Sequence, residues 1–304
     1  MPFVLFVKKA AEAMGRLGGD FTLKMAKKGE RRTVQCGIST ACFYPQDTME
    51  ALSKTQQLAP PCMEIFLNTF RELEPDYVQR LAAQLRSRNT NLISVHPFSS
   101  SMETFFFFSE YTPRFEDGLR LYRRYFEVCR MLGAHILVLH GNVKNRPLPP
   151  QEHARRFCRL AAEGEKFGVT VAYENVVRCQ CGDPQQVLAL RQCADRPVRF
   201  VLDLKQARRA GVTAVEMMRA MGPENICHLH LSDADVQYTC LPPGEGHEDL
   251  AGLLRELRQG GFAGDGVIEL YRDSYREAGQ LTRAMAYVQH LADEIWQSVP
   301  GDSH

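Results

Sequence analysis

The stretch HILVLHGNVKNRPLPPQEHARRFCRLAAEGEKFGVTVAYE, residues 135–174, decides the fold class. It opens on an apolar, β-branched run, HILVLH (135–140), crosses a segment of helical period over 150–167, and closes on a second such run, TVAYE (170–174). Two nearly continuous apolar runs joined through a helix describe parallel strands, which need a long crossover and are covered on both faces.

The unit repeats along the chain. The further runs are VQCGIST (34–40), CMEIFL (62–67), LISVH (92–96), VRFVLD (198–203), ICHLHL (226–231) and GVIEL (266–270), with helical segments expected at 48–58, 74–88, 114–132, 150–167, 183–192, 213–221, 249–259 and 275–296. Strand starts recur every 28 to 43 residues. Eight such units predict an α/β fold, a single closed (β/α)8 TIM barrel. The alternative, an open doubly wound sheet, lacks its usual signature, because no G-x-G-x-x-G follows any strand. The predicted organisation is a basic N-terminal extension over 1–33, the barrel over 34–297 and a short tail over 298–304.

The 304 residues are 44% hydrophobic and 24% charged, with a formal net charge of +1. That balance excludes a disordered or collagen-like chain and a globally basic nucleic-acid binder. The extension carries Lys8, Lys9, Arg16, Lys24, Lys27, Lys28, Arg31 and Arg32 against Glu12, Asp20 and Glu30. Such a basic arm could touch an acidic partner or simply be a solvated helix. No apolar run reaches membrane-span length, and MPFVLFVKKAAEAMG places its charges after its apolar residues, the reverse of a secretory signal. The ten cysteines are scattered, several of them within apolar runs, as in a reducing compartment. A cytoplasmic protein is expected, with no membrane partner and no nucleic acid, and compatible with a homo-oligomer.

In a barrel the chemistry comes from the C-terminal strand ends, and the unusual residues of this sequence lie there. His96 closes the third run, His140 the fourth, Glu174 the fifth and Asp203 the sixth, while His230 and Glu269 lie near the ends of the seventh and eighth. Carboxylates aimed into one mouth would repel one another without a cation. Glu174, Asp203, His230 and Glu269 are therefore the expected metal ligands, an oxygen-rich set with one imidazole that suits manganese, with Mg, Co or Zn as alternatives. Asp233 could orient an imidazole or order its loop. The loop after the third run contains Phe105 to Phe108, which could form a lid, a subunit contact or helix core.

At these residues the sequence resembles the sugar phosphate isomerase/epimerase superfamily, the xylose isomerase-like barrels that also include endonuclease IV. The resemblance spans roughly 34–295 and rests on CGIST, EIF, SVHPF, VLHGN, YENV, VLDLKQARRAG, HLHLSD, PPGEGHEDL and VIELY, one after another along the strands. It implies one metal ion held by Glu174, Asp203, His230 and Glu269, with Glu174 and Glu269 also the catalytic acid/base pair. It places His96, His140, Lys205, Gln206, Glu245 and Arg272 around the substrate. Two departures stand out. The family often has a histidine where this chain has Gln206, and the stretch DVQYTCL (235–241) lacks the D-x-H pair of the nuclease, so ligands of a three-zinc site are missing.

The function expected from residues and resemblance together is a metal-dependent isomerase or epimerase of a small sugar, polyol-derived ketone or sugar acid, working through an enediolate. The alternatives are a dehydratase on the same scaffold, a binding barrel without turnover, and an endonuclease IV-like DNA-repair nuclease.

Overall fold

The computed structural model describes residues 34–297. The predicted extension over 1–33 and the tail over 298–304 lie outside the described residues. Eight parallel strands, β1 (Cys36–Ser39), β2 (Met63–Phe66), β3 (Leu92–His96), β4 (Ile136–Leu139), β5 (Thr170–Glu174), β6 (Arg199–Asp203), β7 (Ile226–Leu231) and β8 (Asp265–Ile268), follow one another around a closed barrel. The ring closes where Cys36 pairs with Gly266 and Ile38 with Ile268. Every strand expected from the sequence is present. Among the described residues the α-helices are α1 (Thr48–Gln57), α2 (Pro75–Ser87), α3 (Glu103–Phe107), α4 (Pro113–Leu132), α5 (Pro150–Glu165), α6 (Pro184–Cys193), α7 (Leu204–Arg209), α8 (Ala214–Met221), α9 (Leu250–Gln259) and α10 (Ala278–Gln297). None of the helices among the described residues is long and apolar enough to cross a membrane.

Local chemistry explains the boundaries. Proline stands at the start of α2, α4, α5 and α6, where its missing N–H costs no helical hydrogen bond. In α4 the buried residues Phe115, Leu119, Tyr122, Phe126 and Cys129 recur at three- and four-residue spacing and face the barrel, and the helix stops at Gly133 with φ 82°. Most of the cysteines are buried thiols.

Two helices fall outside the helical segments expected from the sequence, and both lie at the mouth. The sequence places a helix only from 213, yet α7 begins directly after β6, because the Asp203 side chain accepts the Gln206 amide and caps it. Helix α8 then restarts on a capping box between Thr213 and Glu216. The other, α3, takes in most of the phenylalanine run. Phe107 and Phe108 are buried, with Phe107 edge-on to Tyr122 at 4.7 Å, while Phe105 stays exposed beneath the Arg114 guanidinium at 4.0 Å. Burying a phenylalanine is worth about 1.5–3 kcal/mol, which draws Phe107 and Phe108 into the core.

Candidate metal centre and active site

Strand register assembles the site. Asp203 pairs with His230 across β6 and β7, Glu174 ends β5, and Glu269 follows β8 with its amide bonded to Leu231 O at 3.2 Å. Glu174, Asp203, His230 and Glu269 each offer one donor atom, all within 4.8 Å of one another. Asn175 clamps the ends of two of these strands, accepting from Asp203 N at 2.7 Å and donating to Asp203 O at 2.9 Å.

The orientation of His230 comes from below. Its Nε2 lies 3.1 Å from Glu64 Oε2. A carboxylate only accepts, so the proton belongs on Nε2 and Nδ1 turns toward Glu174 Oε1 at 3.3 Å, Glu269 Oε2 at 3.4 Å and Asp203 Oδ2 at 3.6 Å. Burial would lower the His230 imidazole, but Glu269, Glu64, Asp203 and Glu174 hold it well above its usual range, so without a metal ion Nδ1 carries a proton as well, in the place a metal ion would take among the carboxylates. Glu174 Oε2 is buried and accepts no well-aligned hydrogen bond, although His140 Nε2 lies 2.9 Å away. The donor set therefore fits a divalent ion held by oxygen and one imidazole.

Glu64 was not singled out from the sequence. It is fully buried on β2, in register with Ser39 on one side and Ser94 on the other, and both hydroxyls donate to it, at 3.0 and 2.8 Å. His228, two residues before His230 and so on the same strand face, lies 3.3 Å from the same carboxylate. Exchange of Glu64 for Gln is expected to weaken divalent binding roughly 10–100-fold, because an amide NH2 turned toward Nε2 would drive the proton onto Nδ1. Titration calorimetry on metal-stripped protein checks this, and unchanged affinity would show that His230 needs no carboxylate behind it.

His96 and His140 form a second group with Glu174, again within 4.8 Å. Arg178 Nη2 lies 3.1 Å from His140 Nδ1, and a guanidinium only donates, so the His140 proton sits on Nε2. That nitrogen then faces Glu174 and His96 Nε2, the latter at 3.0 Å, as a donor. His96 Nδ1 lies 3.3 Å from Pro97 O. In this arrangement His140 turns its N–H toward His96 Nε2 and Glu174, while His96 Nε2, with its proton on the far nitrogen, accepts. Burial alone would raise the Glu174 carboxyl, but His140, His230 and His96 hold it well below the usual range.

The remaining predicted residues are distributed unevenly. Lys205 is buried, with its ammonium ion-paired to Asp203 Oδ2 and Glu269 Oε2. Gln206 Oε1 accepts from Val177 N at 3.1 Å and so ties α7 to the loop carrying Arg178. Asp233 orders its loop, accepting from the amides of Ala234, Gly244, Gly246 and Glu248 at 2.8 to 3.0 Å. Glu245 is exposed and bonds Gln280 at 3.0 Å, and Arg272 turns to Tyr275 O at 2.9 Å, so neither is brought to the cluster.

Comparison with known proteins agrees with this architecture. The model of the xylose isomerase-like TIM barrels matches residues 49–291. The chain belongs to that family. An uncharacterized protein of Mycobacterium leprae is 25% identical to this xylose isomerase-like barrel over 276 residues, 82% of this chain and 92% of that protein. Among solved structures, a D-tagatose 3-epimerase-like protein is similar with a TM-score of 0.69 at 16% identity, covering 86% of this chain and 98% of the other. The IolI protein with a bound zinc atom gives 0.66 at 18% identity, covering 86% and 98%. At these identities the likeness is one of fold.

One more buried acid shapes the mouth of this xylose isomerase-like barrel. Glu103 of α3 accepts from Gly141 N and from the Tyr122 hydroxyl, both at 2.5 Å, linking the loops after β3 and β4. Gly141, at φ 83°, makes the turn directly after His140, and a Cβ there would stand 2.1 Å from the Tyr173 ring. Burial pushes the Glu103 carboxyl up to about 8 against the pull of those two hydrogen bonds. A carboxyl raised on folding stabilises the fold fully below its unfolded value, and that contribution is lost as pH rises toward the folded one. The wild-type Tm is therefore expected to fall more steeply than that of Glu103→Gln as pH rises from the ordinary carboxyl value of 4.5 to the folded value of about 8, by roughly 2–4 °C for each kcal/mol lost. Parallel melting curves for the two proteins would refute the assignment.

Proposed function

We propose that this protein is a metal-dependent isomerase or epimerase acting on a small sugar, polyol-derived ketone or sugar acid, with Glu174 and Glu269 as the acid/base pair. The observation that carries the reading is that these two carboxylates, from strands three apart in an eight-strand ring, face one imidazole nitrogen together with Asp203. The ligands are Glu174, Asp203, His230 and Glu269. A divalent ion there, Mn by preference from the oxygen-rich donors, supplies Lewis acidity that makes the C–H beside a carbonyl easier to deprotonate.

The chain does the rest. Glu174, held as an anion by its histidines, is a ready base on one side of the bound substrate, and Glu269 serves the opposite face. Proton removal by one and return by the other convert a hydroxy-carbonyl compound through its enediolate. His96 and His140, beside Glu174, line the same mouth and can hold substrate hydroxyls. The names of the similar solved structures, a tagatose 3-epimerase-like protein and a zinc-bound barrel, support both the substrate class and the ion. The buried thiols suit a reducing, cytoplasmic setting.

The test is a panel of ketopentoses, ketohexoses and sugar acids incubated with protein stripped of metal and reloaded with Mn, Mg, Co or Zn. Interconversion of one substrate with its epimer or isomer, dependent on one of these ions, is the expected result. Loss of water from the substrate would redirect the reading to a dehydratase. Tight binding without turnover would leave a binding barrel, and incision of abasic DNA a nuclease.

A further inference from the structure

Lys205 follows Asp203 by two residues, in the first turn of α7, and its side chain folds back into the barrel, where the residue is 4% exposed. Its ammonium pairs with Asp203 Oδ2 and Glu269 Oε2. These are the same two oxygens that His230 Nδ1 faces, at 3.6 and 3.4 Å. The other oxygen of Asp203, Oδ1, is engaged in capping α7, accepting the Gln206 amide at 2.9 Å. Lysine and a divalent ion would thus draw on one set of donors.

We propose that the Lys205 ammonium is the resident cation of this cluster in the metal-free protein, and that it and a divalent ion exclude one another. The proposal rests on reading the cluster as a metal site. A buried ammonium is costly to hold without partners, and two buried carboxylates with a partly buried third are costly to hold without a cation, so each need answers the other. Two cations sharing the same pair of oxygens would stand a few ångströms apart in a poorly screened interior, and their repulsion drives one of them out. The Tyr271 ring lies 5.9 Å from Nζ, is part-exposed at the mouth, and already carries the Arg209 guanidinium at 4.8 Å. Metal uptake therefore swings the lysine outward, and the loaded enzyme presents an ammonium where substrate oxygens arrive.

The test compares wild type with Lys205→Met, which keeps the length of the side chain and removes its charge. Both are stripped with chelator and titrated with Mn2+ by calorimetry, and the stripped and loaded forms are melted. The variant is expected to bind Mn2+ at least about 10-fold more tightly. Its stripped form should melt below stripped wild type, with Mn2+ restoring more of its stability. Equal or weaker binding by the variant overturns the exclusion while leaving the metal site standing, whereas binding by neither protein fells the metal reading and the exclusion with it. A second measurement needs no variant. Acetic anhydride labelling of Lys205 in wild type, read by mass spectrometry, should rise when Mn2+ saturates the site, and labelling that is unchanged or lower would overturn the proposal.

Discussion

His230→Ala and Asp203→Asn are each expected to weaken divalent binding by at least about 100-fold, since loss of an outer hydrogen-bond partner alone typically costs 10–100-fold. His230→Ala deletes the nitrogen on which Glu174, Asp203 and Glu269 converge and takes from buried Glu64 one of its two imidazole neighbours. Asp203→Asn keeps an oxygen to cap α7 but replaces the charge that Oδ2 directs into the cluster. Metal analysis after equilibrium dialysis decides the matter. Wild-type protein should take up a single ion per chain, both variants should release it, and three ions on the wild type would restore a nuclease-like centre.

Replacement of Glu174 or Glu269 by Gln is expected to slow turnover roughly 10²-fold or more, the ordinary contribution of a positioned acid or base. An amide fills the same space but takes up no proton. Burial would raise both carboxyls, yet the histidines hold Glu174 low, and Lys205 with His230 holds Glu269 low, so both are anionic at rest: one removes the proton from carbon, and the other takes up a proton from solvent before returning it to the opposite face. Rates must be taken at saturating metal, with occupancy measured in the same samples, because both residues are also proposed ligands. A loaded Gln variant at either position with wild-type turnover would remove that residue from the mechanism.

Much of this was legible in the sequence for a physical reason. A parallel strand covered on both faces reads as a short apolar run, so HILVLH or ICHLHL stands out, and a charged residue at its end stands out further. Glu174, Asp203 and His230 are such residues, and strand order alone brings them to one mouth. Lys205 was legible only as a residue that the resemblance places around the substrate, in a cationic stretch with Arg208 and Arg209. What separates them is that the Arg208 and Arg209 side chains reach outward to Asp235 O and Tyr271 while Lys205 turns inward, a matter of helix phase after β6 that no residue type announces. Glu64 carried a signal that went unused, a carboxylate in the middle of the apolar run CMEIFL. Its partners Ser39, Ser94 and His228 come from three other strands and meet it only when the barrel closes. Glu245 and Arg272 lie in mouth loops, but Gln280 and Tyr275 hold them at the rim.

The central claim is proton transfer at carbon by the paired glutamates, and its most direct test is turnover of an accepted substrate by Mn-loaded protein in deuterated water. Mass spectrometry and proton NMR of the product locate the label. Solvent deuterium is expected on the carbon next to the carbonyl, delivered by a carboxyl that exchanges with the medium. Product that forms at full rate and carries no solvent deuterium would contradict it.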